Sequence, residues 1–428
     1  MKRFLLVEDS PLVAKIIRHM LKADPSLEFD HALTFAEAKQ YLGNENHEQY
    51  SASYIESIQQ KYLAAVVDLN LPDAPNGEVV DYTLKMALPT IVLTGSFDEH
   101  KRDQMLERPM VDYVVKESRF SYEYVLRLLH RLDRNKQIRV LVADDSKTSR
   151  QYIKKMLHTH LYQVIEVENG QQALDVIHAD PEIKLLITDY NMPVMNGFDL
   201  VKHIRKEVDK NALIIIGLST HGSGGLSAKF IKNGANDFLS KPFSHEEFHC
   251  RIIHNIETME HVEHIRHAAY HDYLTELPNR RFFYEKAGEA LESARARNLP
   301  VSLAILDVDH FKKVNDTYGH NAGDSVLKQL AQLIQQSFER FIFARTGGEE
   351  FCIMICGLDP QKVSILLDNF RGIVEDYIFL LEATNLSVTL SIGIASGQQY
   401  SLDELMSEAD RHLYNAKLGG RNQVAYEQ

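Results

Sequence analysis

No stretch of this 428-residue sequence approaches the roughly 18 consecutive apolar residues that a membrane-spanning helix needs, so membrane insertion is not expected. A secretory leader is not expected either: the apolar run Phe4-Leu5-Leu6-Val7 is cut off by Glu8 and Asp9, far too early for a signal peptide. Cysteine is scarce. Only Cys250, Cys352 and Cys356 occur, an odd number without zinc-ligand spacing, which excludes a disulfide scaffold and fits free thiols in a reducing cytoplasm. Positive charge is in short supply too: 47 Lys and Arg against 60 Asp and Glu leave a formal net charge of -13. Most of the surface therefore repels nucleic acid phosphates, and a DNA or RNA partner is disfavoured. What remains is an ordinary globular composition, 44% hydrophobic and 25% charged, in a chain too long for one core. Length alone predicts about three domains.

The first two begin alike. Phe4-Leu-Leu-Val-Glu8-Asp9-Ser10 is echoed by Val140-Leu-Val-Ala-Asp144-Asp145-Ser146, each followed by apolar residues at helical spacing. In the first copy an apolar run then ends at Asp68 before Pro72, and in the second at Asp189 before Pro193. Later runs end in a hydroxyl, Thr94 or Ser219, and then in Tyr113-Val-Val-Lys116 or Phe238-Leu-Ser-Lys241, with the same hydroxyl-to-lysine spacing in both. Apolar strands alternating with helical stretches predict doubly wound parallel sheets, whose carboxyl-terminal strand ends gather ligands. All the polar residues just named fall at such ends. Clustered carboxylates repel one another and call for a divalent cation, for which Mg²⁺ with a few carboxylates, waters and a phosphoryl oxygen is suited. A single Asp-Asp pair is more often a solvated loop feature; five positions matching twice in order are not.

This constellation resembles the receiver domain of response regulators, over roughly the first 60% of the chain. The resemblance implies flavodoxin-like domains in which Asp68 and Asp189 accept a phosphoryl group, while Glu8 and Asp9, or Asp144 and Asp145, hold Mg²⁺. Lys116 and Lys241 neutralise the acyl phosphate. Thr94 and Ser219 follow the new oxygens, freeing room for Tyr113 and Phe238 to change rotamer. A sensor histidine kinase or phosphotransfer protein is the implied partner. The first copy departs from the pattern in extra residues around Gly43 to Gln60, and in Glu117 where the second has Pro242.

From Phe248 to Ala269 apolar residues recur every three or four positions, at Phe248, Ile252, Ile256, Met259, Val262, Ile265 and Ala269, with no Gly or Pro between. This predicts a long amphipathic helix suited to transmitting a change in receiver pairing. His245, His249, His254, His261, His264, His267 and His271 crowd the same stretch. Some lie at spacings that could bind metal or sense pH, but no Cys or carboxylate frame completes a tetrahedral site, and a solvated helical face is expected.

The last segment opens with Asp272-Tyr-Leu-Thr-Glu276-Leu-Pro-Asn279-Arg-Arg, turn-rich before a helix, and continues into the strand Val301-Ser-Leu-Ala-Ile-Leu-Asp307-Val308-Asp309. Lys312, Asn315 and Gly319-His-Asn-Ala-Gly323-Asp324 follow, leading into a helix expected to start near Ser325. Phe341-Ile-Phe-Ala-Arg345-Thr-Gly347-Gly348-Glu349-Glu350-Phe351 predicts a hairpin across a Gly-Gly turn, where positive φ costs little. On its own such a turn is more often just a hairpin.

With Ser391-Ile-Gly393 and the run Ala409 to Asn422, these motifs resemble the GGDEF family of diguanylate cyclases in its Gly-Gly-Glu-Glu-Phe version. The resemblance implies a palm-like α/β domain that condenses two GTP molecules into cyclic di-GMP. In it Asp307, the Val308 carbonyl and Glu349 hold two Mg²⁺ or Mn²⁺ ions. Asn315 and Asp324 read guanine; Lys312, Lys417 and Arg421, with Gly347 and Gly348, accommodate the triphosphate. Glu350 is the candidate for metal binding or for accepting the 3′-hydroxyl proton. Because the product is two-fold symmetric, two such domains must face each other, implying a homodimer. The Arg-x-x-Asp motif of product-inhibited members is replaced by Phe338-Glu-Arg-Phe341, so no inhibitory site of that type is expected, and Glu276 stands where the family has glycine.

The domains read as 1–134 and 138–258 (receivers), 259–271 (helical linker) and 272–428 (cyclase). Neither a phosphodiesterase nor a helix-turn-helix is expected. The competing readings are a non-catalytic, phosphorylation-controlled module that binds GTP or a partner, and a phosphorelay intermediate.

Overall fold

The computed structural model of the chain describes residues 1–43, 51–95, 105, 108–220, 224–381 and 384–427. They form two compact units, Met1–Glu260 and His261–Gln428. Among the described residues no helix is long and apolar enough to cross a membrane.

The first unit contains two five-stranded parallel sheets. β1 (Lys2–Val7), β2 (Leu27–Ala32), β3 (Ala65–Asp68), β4 (Thr90–Thr94) and β5 (Asp112–Val115) lie in the order β2-β1-β3-β4-β5. β6 (Arg139–Ala143), β7 (Gln163–Val167), β8 (Ile183–Asp189), β9 (Ile214–Ser219) and β10 (Asp237–Ser240) repeat it as β7-β6-β8-β9-β10. Continuous apolar runs such as Phe4–Val7 and Ile214–Ile216 are buried on both faces, because each crossover helix returns onto the sheet and covers it. Each sheet accordingly separates two cores. Strand order reverses between β1 and β3, and again between β6 and β8. At such a switch point neighbouring loops diverge and leave a crevice at the carboxyl ends. Of the additional residues in the first copy, 44–50 lie outside the described residues, while Ala52–Lys61 form a helix.

A helix of 26 residues, His245–Tyr270, matches and slightly exceeds the predicted amphipathic stretch. Phe248, His249, Ile252, Ile256 and Met259 are its buried residues, whereas Ile265 of the predicted apolar stripe is exposed.

In the second unit, β11 (Val301–Val308) is the buried centre of a sheet that includes β12 (Ile342–Gly347), β13 (Glu350–Cys356), β16 (Leu390–Ser396) and β17 (Val424–Tyr426), in the order β12-β13-β11-β16-β17. β14 (Phe379–Leu380) and β15 (Asn385–Leu386) make a separate small ribbon. β11 runs antiparallel to both its neighbours, and only β17 joins in parallel. The helices Arg280–Ala296 and Leu402–Leu418 cover one face, and His320–Phe338 and Pro360–Asp376 the other. Gly393 explains how closely the first layer sits: a Cβ there would lie 2.1 Å from the Ala409 carbonyl oxygen and 2.2 Å from the Leu413 nitrogen. One boundary differs from expectation. The helix forecast to start near Ser325 starts at His320, because Gly319, at φ 85°, ends the preceding helix Phe311–Tyr318 and the chain turns straight into the next.

Candidate functional site

Polar residues converge at three strand-end sites. In the first sheet Glu8 and Asp68 are buried beside exposed Asp9, and one carboxylate oxygen from each of the three lies within 4.8 Å of the others. Lys116, just past β5, places Nζ 2.6 Å from Glu8 Oε2 and 2.7 Å from Asp68 Oδ2. Burial raises the Glu8 carboxyl above its ordinary range; Lys116 opposes this and Asp68 adds to it. Thr94 and Tyr113 are buried on the adjoining strands.

The second sheet repeats the lysine bridge between two strand-end acids. Lys241 Nζ sits 2.7 Å from Asp144 Oδ2 and 2.6 Å from Asp189 Oδ1, and the Ser149 hydroxyl donates to Asp144 at 2.6 Å. The Asn191 N–H donates to Asp189 Oδ2 at 2.8 Å. Burial raises the Asp189 carboxyl, against Lys241. Asp145 is exposed, Ser219 is buried at the end of β9, and half-buried Phe238 packs its ring 5.6 Å from that of Phe230.

The third site lies where β11 ends. Asp307 is 5% exposed, and Lys417 Nζ stands 2.7 Å from its Oδ2. Burial pushes the Asp307 carboxyl up to about 6; Lys417 pulls it down, while Glu349 and Glu350 push it further up. Register explains the crowding, since Asp307 is directly opposite Glu350 across the β11–β13 ladder. Gly347 at φ 151° and Gly348 at φ 55° make the turn that carries Glu349 back toward β11. Val308 pairs with Leu390 on the other side.

Asn315 Oδ1 is buried without a hydrogen-bond partner. It lies against Gly323, where a Cβ would come within 2.0 Å of it. Asp324, next along the helix, is exposed, as are Lys312 and Arg421.

Two residues that sequence reasoning passed over hold this site together. Arg345, nearly buried in β12, donates from Nε and Nη2 to the Gly348 carbonyl at 3.0 and 2.7 Å, and from Nη1 to Asp272 Oδ1 at 2.6 Å. It thus ties the glycine turn to the segment that opens the unit. Asp309 accepts from the Ser391 and Thr389 hydroxyls at 2.6 and 2.7 Å and from the Asn422 N–H at 3.0 Å, which fixes the loop bearing Arg421. The available signals were an arginine inside an apolar strand and a second acid two residues after Asp307. Phe338, where an inhibitory arginine would stand, is core, with Phe341 packed beside it.

Comparison with known proteins agrees with this geometry. Residues 269–423 match the family described as "Diguanylate cyclase, GGDEF domain", and residues 140–253 match the response regulator receiver domain. A solved two-component system response regulator/GGDEF domain protein is 40% identical, with a TM-score of 0.52, over 61% of this chain and 100% of that one. This chain belongs to the response regulators that carry a GGDEF domain. Among relatives of this response regulator, PleD of Caulobacter vibrioides is 26% identical over 298 residues, 67% of this chain and 65% of PleD. The protein named "Probable diguanylate cyclase DgcT", from Escherichia coli, is 37% identical over 166 residues, 36% of this chain and 35% of its own. The chain therefore spans just under two thirds of PleD and about a third of DgcT. The receiver match falls on the second parallel sheet of this response regulator; the first has the same strand order and the same acid-lysine cluster.

Proposed function

We propose that the chain is a phosphorylation-regulated diguanylate cyclase, condensing two GTP into cyclic di-GMP and two pyrophosphates. The observation that carries this is the convergence of Asp307, Glu349, Glu350 and Lys417 at the Gly347-Gly348 turn.

The residues fit a divalent metal. Lys417 pairs with Asp307, Asp307 is held up to about 6 by burial and by its acidic neighbours Glu349 and Glu350, and the donors are oxygens, as Mg²⁺ or Mn²⁺ prefers. Asp307, the Val308 carbonyl and Glu349 would hold it. Bound there, such ions supply positive charge at the triphosphate and ease ionisation of the 3′-hydroxyl.

The chain's own residues do the rest. Asn315 and Asp324 offer side-chain oxygens to the N–H groups of guanine, which adenine cannot match. Lys417, Lys312 and Arg421 spread positive charge along the phosphates, and the glycine turn lets phosphate approach backbone. Glu350 takes the 3′-hydroxyl proton as that oxygen attacks the α-phosphorus of the second GTP in line and pyrophosphate leaves. With one GTP per domain, two chains must face each other.

The repeated fold and matching Glu8–Asp68–Lys116 cluster support reading residues 1–134 as a second receiver ahead of 138–258, with 259–271 as linker and 272–428 as cyclase. Asp68 and Asp189 accept phosphate from a histidine kinase or phosphotransfer protein, with Mg²⁺ held by Glu8 and Asp9 or Asp144 and Asp145. Thr94, Tyr113 and Lys116, and Ser219, Phe238 and Lys241, answer the new charge. A cytoplasmic location fits this chemistry.

The test is GTP turnover with Mg²⁺, the product identified by mass, for wild type and Glu349→Ala, with and without acetyl phosphate. Cyclic di-GMP from wild type alone is expected. A folded dimer that binds GTP and makes none would instead favour a GTP-binding module.

A further inference from the structure

Away from these sites, the first unit buries a cluster of three histidines drawn from distant parts of the sequence. His160 follows the helix Lys147–Thr159, whereas His245 and His249 lie one turn apart at the start of the long helix. Each offers a ring nitrogen within 4.8 Å of the others. The His160 and His249 rings stack with centroids 3.6 Å apart, and the His245 ring lies 4.3 Å from that of His249.

The hydrogen bonding of the cluster is what points to a ligand. His249 is 4% exposed, yet both its ring nitrogens are buried without partners, as is His245 Nε2. Buried polar atoms normally find partners, so an orphaned set aimed at one spot is unusual. His160 Nε2 lies 3.2 Å from the Val111 carbonyl oxygen, which can only accept. Nε2 therefore carries the proton and Nδ1 keeps a bare lone pair. The Asn135 amide also donates to the His160 carbonyl at 2.9 Å, holding that residue in place. An imidazole that donates one N–H to a backbone carbonyl keeps its other nitrogen as a lone-pair donor, the bonding of a metal ligand. Beside the cluster opens a cavity of about 530 Å³ whose wall includes Tyr113, Tyr124, Glu246 and Cys250, leaving access for a fourth ligand. Burial holds both His160 and His249 below the ordinary imidazole range.

We propose that His160, His245 and His249 form a binding site for a borderline transition-metal dication of the Zn²⁺ class, distinct from the carboxylate sites. Nitrogen donors select such ions over Mg²⁺. Bound metal pins together three pieces: the turn after Lys147–Thr159, the first turns of His245–Tyr270, and, through Val111, the strand that leads to Lys116.

The test uses the full chain, stripped with a chelator and titrated with Zn²⁺, and separately with Co²⁺ as a visible-spectrum probe, in excess Mg²⁺. One tight equivalent per chain is expected, together with a raised thermal midpoint. His160→Gln and His249→Gln should each weaken it by about 100-fold or more, whereas Glu8→Gln and Asp307→Asn should leave it intact. Absence of a tight equivalent in wild type, or unchanged affinity in both histidine variants, overturns the site. Should a variant fail to fold, X-ray absorption on the wild-type Zn²⁺ form decides: imidazole scattering supports the site, and an all-oxygen shell removes it.

Discussion

Under the proposed function, Asn315 is the side chain that contributes most to guanine selectivity. Its Oδ1 is already desolvated and without a partner, so a guanine N–H meeting it incurs little further desolvation. Asn315→Ala is expected to weaken GTP binding by about 2 kcal/mol, roughly 30-fold in KM, with a smaller effect on kcat. Steady-state kinetics would check this, and an unchanged KM would remove Asn315 from guanine recognition. Asp272 has a different task. Burial alone would raise its carboxyl, but Thr275 and the Arg345 guanidinium hold it below the usual carboxylate range. A carboxyl held low in the folded chain contributes stability that is complete above the ordinary value near pH 4 and lost as pH falls through its own lower value. Asp272→Asn should therefore cost about 1–3 kcal/mol at pH 7, since the pair is largely shielded from solvent, and the two proteins should converge in strongly acidic buffer. Denaturant unfolding at several pH values measures it.

At the scale of elements, glycines and one glutamate decide how closely the site is built. Gly323 lies on the helix His320–Phe338 where any side chain would meet the Asn315 amide. Gly323→Ala should reproduce the KM defect of Asn315→Ala without touching a ligand-binding group, while leaving the far-UV circular dichroism unchanged. Glu276 occupies the family's glycine position at φ 58°, a conformation that costs a side-chain-bearing residue about 1 kcal/mol or more. Glu276 Oε2 stands 3.5 Å from His267 Nε2, but both groups are exposed, and such a pair offsets little of that cost. Glu276→Gly is accordingly expected to raise stability by roughly 0.5–1 kcal/mol, read by calorimetry. The same substitution tests whether the departure from the family pattern is a cost carried for another reason.

At the scale of the whole molecule, the proposed function makes regulation and catalysis both depend on pairing. A reaction needing two GTP-loaded domains should show turnover per chain that rises with protein concentration and then saturates. If Asp68 and Asp189 both receive phosphate, Asp68→Asn with Asp189→Asn should abolish the response to acetyl phosphate while basal turnover persists. Each single variant then identifies which receiver governs output. A response surviving in the double variant would place control elsewhere.

Much of this was legible in the order of residues. Strand-end acids, hydroxyls and lysines recur twice at matched spacing, and parallel strands buried on both faces leave an unmistakable apolar signature. The glycine turn and its two glutamates are likewise local, so Asp307, Glu349 and Lys417 could be named without coordinates. Tertiary structure alone decided three things. The helix bearing Asp324 begins at His320, because the Gly319 turn and the Asn315–Gly323 contact outweigh local propensity. Arg345 and Asp309 act by reaching across the fold to Asp272 and Asn422, separations no sequence window spans. The histidines read as a solvated helical face are split by their surroundings: His245 and His249 turn inward because His160, 85 and 89 positions away in the chain, closes over them. Sequence specifies which groups are present and their local periodicity, while only packing brings distant groups together and removes the water that would otherwise satisfy them.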